Sequence, residues 1–169
     1  MNRLALICVM AFAAAQGVAA HTSDVLDDLM PVPAMVKRTG GTADVSALRK
    51  IAVERATVPD APAATADEAY VLEIAPDGVS IVAPTARGER WARVTLDQLG
   101  RLSGGRVPCC RITDWPRFKW RGFMHDSGRN FLEVEHVKGV IDAMSRCKMN
   151  LFHWHFTEYP RHGPHPPAP

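Results

Sequence analysis

Two clusters of polar side chains near the carboxyl end of the sequence have residue types and spacings that could support chemistry. In the first, Asp126 and Arg129 stand three residues apart, directly after a short apolar run that ends at His125. Arginine offers a rigid fork of hydrogen-bond donors, and aspartate can hold that fork or accept from a hydroxyl. The pair therefore suits recognition of a neutral polar ligand. It could equally be a loop salt bridge that caps the following helix, since such exposed pairs are common.

The second cluster is His153 and His155, which flank Trp154. Residues two apart on a strand face the same side, so the two imidazoles could bind zinc together, with Glu158 as a third ligand. Alternatively, one histidine packs in an interior and the other makes hydrogen bonds. Because nothing in the sequence completes an open zinc site, we predict no metal and no cofactor. Trp154 points the other way and is predicted to lie in the core beneath helices.

A single β-α-β unit is predicted to carry both clusters. Residues 121–125 and 150–156 are predicted strands that start 29 residues apart, close to the length of about 30 residues of such a unit. Its strands pair in parallel, and α/β barrels carry their active sites at the carboxyl ends of such strands. Between the strands, one stripe of a helix is formed by Val134, Val137, Ile141 and Met144.

The preceding region, residues 21–115, is predicted to be a small α+β domain in which a sheet packs against helices. A turn at Pro76-Asp77-Gly78 separates two apolar runs, which indicates a β-hairpin. A helix over residues 85–102 can be capped by Thr85 and is predicted to end near Gly104-Gly105. The predicted strands are 70–74, 79–83 and 107–112.

Residues 21–66 carry a weaker signal. Gly40-Gly41 is expected to break the segment that starts at Pro31, and residues 45–56 are compatible with either a strand or a helix. Three cysteines remain once an N-terminal leader is removed, an odd number that does not suit a disulfide framework. Cys109, Cys110 and Cys147 are all predicted to be small buried side chains.

The first twenty residues have the pattern of a secretory signal peptide. A single cation, Arg3, precedes an apolar run from Leu4 to Ala15, and the small residues Val18-Ala19-Ala20 predict cleavage after residue 20. The run is too short to span a bilayer comfortably, so no membrane span is predicted. We expect export to the periplasm or the extracellular space; the alternative is a buried N-terminal helix. The formal net charge of +2, with no block of like charges, indicates no nucleic-acid partner.

In order and spacing, several motifs of residues 114–159 resemble those of the β-N-acetylhexosaminidases. The hairpin and the helix upstream resemble the small non-catalytic N-terminal domain of that family, so the resemblance covers about residues 30–159. The motifs are Asp114-x-Pro116-Arg117-Phe118, Trp120-Arg121-Gly122-Phe123-Met124, Asp126-x-x-Arg129 and Lys148-Met149-Asn150-Leu151-Phe152-His153-Trp154-His155.

This resemblance implies a glycoside hydrolase with a TIM-type (β/α)8 barrel that removes terminal non-reducing N-acetylglucosamine or N-acetylgalactosamine from glycans. In the family, the acetamido oxygen of the substrate is the nucleophile, and the reaction retains configuration. Arg129 matches the arginine that binds the ring hydroxyls of the terminal sugar, and Asp126 matches the aspartate that supports that site. Glu158 stands where many members have an aspartate after the His-Trp-His strand. Oligomeric state is not predicted.

The family also has a catalytic Asp-Glu pair on a later strand, and no such pair follows Arg129 in this sequence. Asp67-Glu68 lies upstream and does not match it. A complete barrel takes about 250 residues, so we expect a truncated chain that is inactive alone. The predicted divisions are a leader (1–20), the N-terminal α+β domain (21–115), the start of an incomplete barrel (116–159) and a disordered or frame-shifted tail (160–169).

Two other functions remain open at this point. The missing Asp-Glu pair favours a non-catalytic carbohydrate-binding or interaction module. The alternative is a metal-dependent hydrolase built around His153 and His155.

Overall fold

A computed structural model describes residues 24–156, in which a five-stranded sheet with one long helix precedes a β-α-β unit. The signal-peptide prediction, Glu158 and the tail lie outside these residues. In chain order, the strands of the sheet are β1 (Met35–Asp44), β2 (Ile51–Glu54), β3 (Tyr70–Ala75), β4 (Gly78–Val82) and β5 (Arg106–Asp114), with helix α1 (Ala86–Leu102) between β4 and β5. The β-α-β unit consists of β6 (Gly122–Asp126), α2 (Val134–Arg146) and β7 (Leu151–His155).

The sheet has the strand order β1-β5-β3-β4-β2, and only the β2–β4 pairing is parallel. The predicted hairpin is confirmed, because β3 and β4 pair antiparallel around a tight turn. Residues 45–56, for which the sequence is compatible with a strand or a helix, form both: a one-turn helix at Val45–Arg49 and then β2.

Strand β1 was not predicted, because its glycines suggested a break. Gly40 and Gly41 have φ angles of +85° and +81°, in the region that only glycine adopts easily. They lie where the register with β5 shifts, between Arg38 and Thr42. The glycines therefore form a bulge within one continuous strand, and the expected break is wrong.

Helix α1 covers one face of the sheet and begins and ends where predicted. The hydroxyl of Thr85 accepts a hydrogen bond from the backbone N–H of Arg87 at 3.1 Å, as an N-cap does. A Cβ atom on Gly88 would lie 2.2 Å from the carbonyl oxygen of Ala69, so glycine allows the helix to approach the sheet closely. The core between helix and sheet includes Leu72, Ile74, Ile81, Trp91, Leu99 and Ile112.

In the β-α-β unit, β6 and β7 pair in parallel as predicted. Of the helical stripe, Val137 and Met144 are buried. Trp154 is 43% exposed, so its predicted place in the core is wrong. Its indole N–H donates to the hydroxyl of Ser127 at 2.7 Å, and its ring contacts Phe152 and Phe156. The reason is that α2 is the only helix of this unit in residues 24–156, and one helix cannot cover both strands.

The cysteine predictions are confirmed at two positions and wrong at the third. Cys109 and Cys110 are buried free thiols on β5, and burial raises the pKa of Cys110 to about 11. Cys147 is exposed, because it follows directly after the last turn of α2. No helix in the described part of the chain is long and apolar enough to cross a membrane.

Two leucines of α1 provide a matched test of this packing. Leu99 is fully buried, whereas Leu102, one turn later, is 49% exposed. Replacing Leu99 with alanine should lower the free energy of unfolding by about 2–5 kcal/mol, because it removes buried methyl groups and leaves a cavity. Leu102→Ala should change it by less than about 1 kcal/mol. Urea denaturation measures both values, and equal losses would contradict the described orientation of the helix.

Candidate functional site

The parallel pairing of β6 and β7 brings the two predicted polar clusters to the same edge of the sheet. Asp126 and His155 are register partners and the last residues of their strands. The backbone N–H of Ser127 donates to the carbonyl oxygen of His155 at 2.9 Å, which ties the strand ends together. The sequence spacing had predicted two strands of one unit, and the structure adds that their chemistry-bearing ends are adjacent.

Asp126 organises the turn that follows β6. One carboxylate oxygen accepts from the backbone N–H groups of Gly128 at 2.9 Å and Arg129 at 3.2 Å. The other oxygen lies 3.4 Å from Nε of Arg129. The carboxylate therefore both shapes the turn and pairs with the guanidinium. It does not cap α2, which begins at Val134 without a side-chain cap.

The two members of this pair differ in how much solvent they see. The side chain of Asp126 is 17% exposed, and that of Arg129 is 79% exposed. A pair in which one partner is largely exposed contributes little stability. It does, however, present a guanidinium that a polar ligand can reach. The carboxylate paired with that guanidinium is itself held by two backbone hydrogen bonds. This arrangement can bind hydroxyl groups.

The histidine cluster receives no third ligand from the described residues. The alternation of β7 places His153 and His155 on one face, with Trp154 on the other. Within residues 24–156, no group of three His, Cys, Asp or Glu side chains could hold a metal ion. Glu158, proposed as a ligand or a site residue, lies beyond these residues. The expectation that no metal binds stays a prediction.

A second polar cluster, which the sequence did not predict, lies at the opposite ends of β6 and β7. Its centre is Glu68, whose side chain is 4% exposed and pairs with Arg121 just before β6. The neighbouring Asp67 accepts instead from Arg87 at 3.2 Å. Glu68 is therefore part of the contact between the N-terminal α+β domain and the β-α-β unit, whereas Asp67 pairs with a residue of α1. Glu68 meets β6 at the end opposite to Asp126, so the dipeptide does not belong to the candidate site. No local pattern could have revealed this contact.

A cavity of about 400 Å³ adjoins this second cluster. Its walls are mostly apolar, with Trp115 and Phe118 among them. The charged residues of its lining include Asp114 and Lys148, which are already paired with each other at 2.8 Å. The cavity therefore offers a ligand apolar walls, but its buried charges have partners.

Two models of the same family match successive parts of the chain. The model described as "Glycosyl hydrolase family 20, domain 2" matches residues 13–115. The model described as "Glycosyl hydrolase family 20, catalytic domain" matches residues 118–160. The boundary between the two matches falls in the connector between β5 and β6.

Curated relatives are similar over parts of the chain. A "Beta-N-acetylhexosaminidase" of Cellulomonas fimi is 36% identical over 140 residues, which is 80% of this chain and 26% of the relative. A "Beta-hexosaminidase" of Porphyromonas gingivalis is 42% identical over 101 residues, which is 54% of this chain and 13% of the relative. The chain thus spans about a quarter or less of the length of these relatives.

Solved structures agree with the sequence comparisons. A "beta-N-acetylhexosaminidase" crystal structure superposes with a TM-score of 0.64 at 30% identity, covering 79% of this chain and 27% of that one. The N-acetyl-β-hexosaminidase of Streptomyces plicatus superposes with a TM-score of 0.63 at 27% identity, covering 76% of this chain and 34% of that one. The resemblance inferred from the motifs is confirmed, and the chain belongs to glycosyl hydrolase family 20.

Proposed function

We propose that this chain supplies the N-terminal domain and the first β-α-β unit of the catalytic (β/α)8 barrel of a β-N-acetylhexosaminidase. The whole enzyme would hydrolyse terminal non-reducing N-acetylglucosamine or N-acetylgalactosamine from glycans. The names of the relatives support this assignment. The observation that carries it is Asp126-x-x-Arg129 at the carboxyl end of β6, because barrel enzymes assemble their active sites at that end of their strands.

In this proposal Arg129 binds the terminal sugar. Its guanidinium donates charge-assisted hydrogen bonds to ring hydroxyls, each worth about 1.5–3 kcal/mol. Asp126 is its positioning residue, because that carboxylate orders the turn and pairs with Nε. Glu158 would add a carboxylate beyond the end of β7. Arginine suits this role better than lysine because its donors form a rigid, planar fork.

The bond-breaking step needs groups that no residue of this sequence matches. In the substrate-assisted route the acetamido oxygen attacks the anomeric carbon and forms an oxazoline, while an acid protonates the departing glycosidic oxygen. General acid–base assistance is typically worth 10²–10⁴ in rate. Asp67-Glu68 cannot provide it, because Glu68 is buried against Arg121. The 169-residue chain therefore provides sugar contacts, and the acid and its steering carboxylate come from further barrel strands.

Substitution of Arg129 tests the proposed sugar contact in a polypeptide that joins this chain to a complete barrel. Arg129→Ala should lower kcat/KM for a chromogenic N-acetylglucosaminide by roughly two to three orders of magnitude, at about 1.4 kcal/mol per tenfold. The free energy of unfolding should change by less than about 1 kcal/mol, because the side chain is 79% exposed.

The matched control is Arg101→Ala, which removes an arginine of α1 that is 60% exposed and also paired with an aspartate. It should leave the kinetics unchanged. Residues 21–169 alone should show no turnover above a buffer blank. Wild-type kinetics in the Arg129 variant, or turnover by residues 21–169 that this substitution abolishes, would contradict the proposal.

We also propose that the enzyme is exported. The support is the short apolar run after Arg3 and the small residues that end at Ala20. N-terminal sequencing of protein recovered outside the cytoplasm should begin at His21. Mature protein that retains Met1 would refute cleavage at this position.

A further inference from the structure

A cation with a largely buried side chain lies within three residues of the start of each strand of the β-α-β unit. Arg121 directly precedes β6, and its side chain is 14% exposed. Lys148 lies three residues before β7, and its side chain is 8% exposed. Because a buried cation without a partner is costly, the stability of this region depends on what these two side chains contact.

Arg121 is held through Glu68 by residues 24–115, which form the five-stranded sheet with α1 and are here called the sheet domain. Its Nη2 donates to Oε2 of Glu68, and the same oxygen accepts from the indole N–H of Trp91 at 2.7 Å. The guanidinium carbon lies 5.8 Å from the centre of the Trp91 ring. The side-chain amide of Asn150 donates to the other oxygen of the Glu68 carboxylate, Oε1, at 3.2 Å. Burial acts to raise the pKa of Glu68, but the hydrogen bonds from Arg121, Trp91 and Asn150 and the charge of Arg121 together lower that pKa below its usual value.

Lys148 is held by the sheet domain through Asp114. Its ammonium donates to Oδ2 of Asp114 and to the hydroxyl of Tyr70, both at 2.8 Å. The Tyr70 hydroxyl in turn donates to Oδ2 of Asp114 at 2.9 Å and lies 2.7 Å from the hydroxyl of Thr95. The ammonium lies 5.0 Å from the centre of the Tyr70 ring. Lys148 itself has a φ of +55°, a conformation uncommon outside glycine, so its surroundings must hold it there.

The two attachments have the same design and are joined to each other. Each consists of one cation from the β-α-β unit, with one carboxylate and one aromatic ring from the sheet domain. Nε of Arg121 donates to the backbone carbonyl of Lys148 at 2.7 Å, and the backbone N–H of Arg121 donates to the side chain of Asn150 at 3.0 Å. The starts of both strands are therefore fixed against the sheet domain and against each other.

The β-α-β unit has little core of its own to replace these contacts. Within residues 121–156, two apolar side chains are buried, those of Val137 and Met144. Phe123 and Leu151 are each 43% exposed. A two-stranded sheet needs packing, for example against a helix, to be stable in water, and here α2 contributes only the side chains of Val137 and Met144 as buried apolar contacts. Within residues 24–156, the contacts that stabilise the unit are therefore mainly those with residues 24–115.

We propose that the sheet domain is the template on which the β-α-β unit acquires its order, through the paired charges Glu68–Arg121 and Asp114–Lys148. The sheet domain is stable without the unit, whereas the unit is ordered only while both pairs are made. Arg121 and Lys148 are then positioning residues, because they hold the starts of β6 and β7, whose opposite ends are Asp126 and His155. This inference does not depend on the proposed activity.

Amide hydrogen exchange, measured separately for each segment of the full chain, tests this proposal. Glu68→Gln keeps the shape of the side chain but removes its charge. Exchange of the amides in β6 and β7 should become at least about tenfold faster, because an uncompensated buried guanidinium disfavours the docked state. The amides of β3 and β5 should change by less than about twofold.

Glu73→Gln is the matched control, because it discharges a glutamate that pairs with Arg111 at 2.8 Å on the sheet but is 44% exposed. It should leave exchange in both regions unchanged. Unaltered protection of β6 and β7 in the Glu68 variant would overturn the proposal. Equal loss of protection in β3 and β5 would also overturn it, since that outcome describes a general core residue.

The second pair supplies an independent variant. Lys148→Met keeps the length of the side chain and should accelerate exchange in β6 and β7 in the same selective way. Lys138→Met, at a lysine of α2 that is 64% exposed, is its control. If either junction variant fails to fold, exchange of the wild-type chain in low denaturant decides: β6 and β7 should open together before β3 and β5. Opening of all four strands as one unit would refute the template.

Discussion

The buried contact between Glu68 and Arg121 is the interaction on which the arrangement of this molecule depends. Each of these charges would be costly to bury alone, so each makes the burial of the other possible. The sheet domain and the β-α-β unit thus share a constraint that neither could satisfy separately. Asp114 and Lys148 repeat it about the neighbouring strand. Two attachments at the starts of two parallel strands determine both the position and the direction of the pair.

This attachment leaves the opposite ends of the strands to be organised locally. At those ends Asp126 shapes its own turn through two backbone hydrogen bonds and pairs with Arg129. This division has a physical reason. The amino-terminal ends of the strands are attached through largely buried contacts, whereas a ligand must be able to reach their carboxyl-terminal ends. The two largely buried ion pairs orient the strands, whereas the exposed pair places the guanidinium of Arg129 where a ligand can contact it. A similar charge pairing therefore has different consequences at the two ends, and the difference lies in solvent exposure.

The Asp67-Glu68 dipeptide shows why a motif needs its structural context. The family's catalytic pair consists of the same two residue types in the same order. Here Glu68 faces Trp91 and Arg121, and Asp67 faces Arg87 at the surface. The carboxylate of Glu68 is 4% exposed and already pairs with Arg121 and accepts from Trp91, so it serves as a structural partner of these two side chains. Residue types alone could not distinguish these roles, since function belongs to sites and their geometry.

Sequence by itself determined the family, the β3–β4 hairpin, α1 with its Thr85 cap, and the parallel β6–β7 pair. These features depend on local periodicity, on turn residues and on motif order, all of which are written in short stretches of chain. Tertiary structure alone decided that Gly40 and Gly41 form a bulge, because only the pairing with β5 distinguishes a bulge from a break. Tertiary structure also decided which residues join the sheet domain to the β-α-β unit. Glu68 and Arg121 are 53 residues apart, and Asp114 and Lys148 are 34 apart, so their contacts follow from folding and from no spacing that a sequence displays.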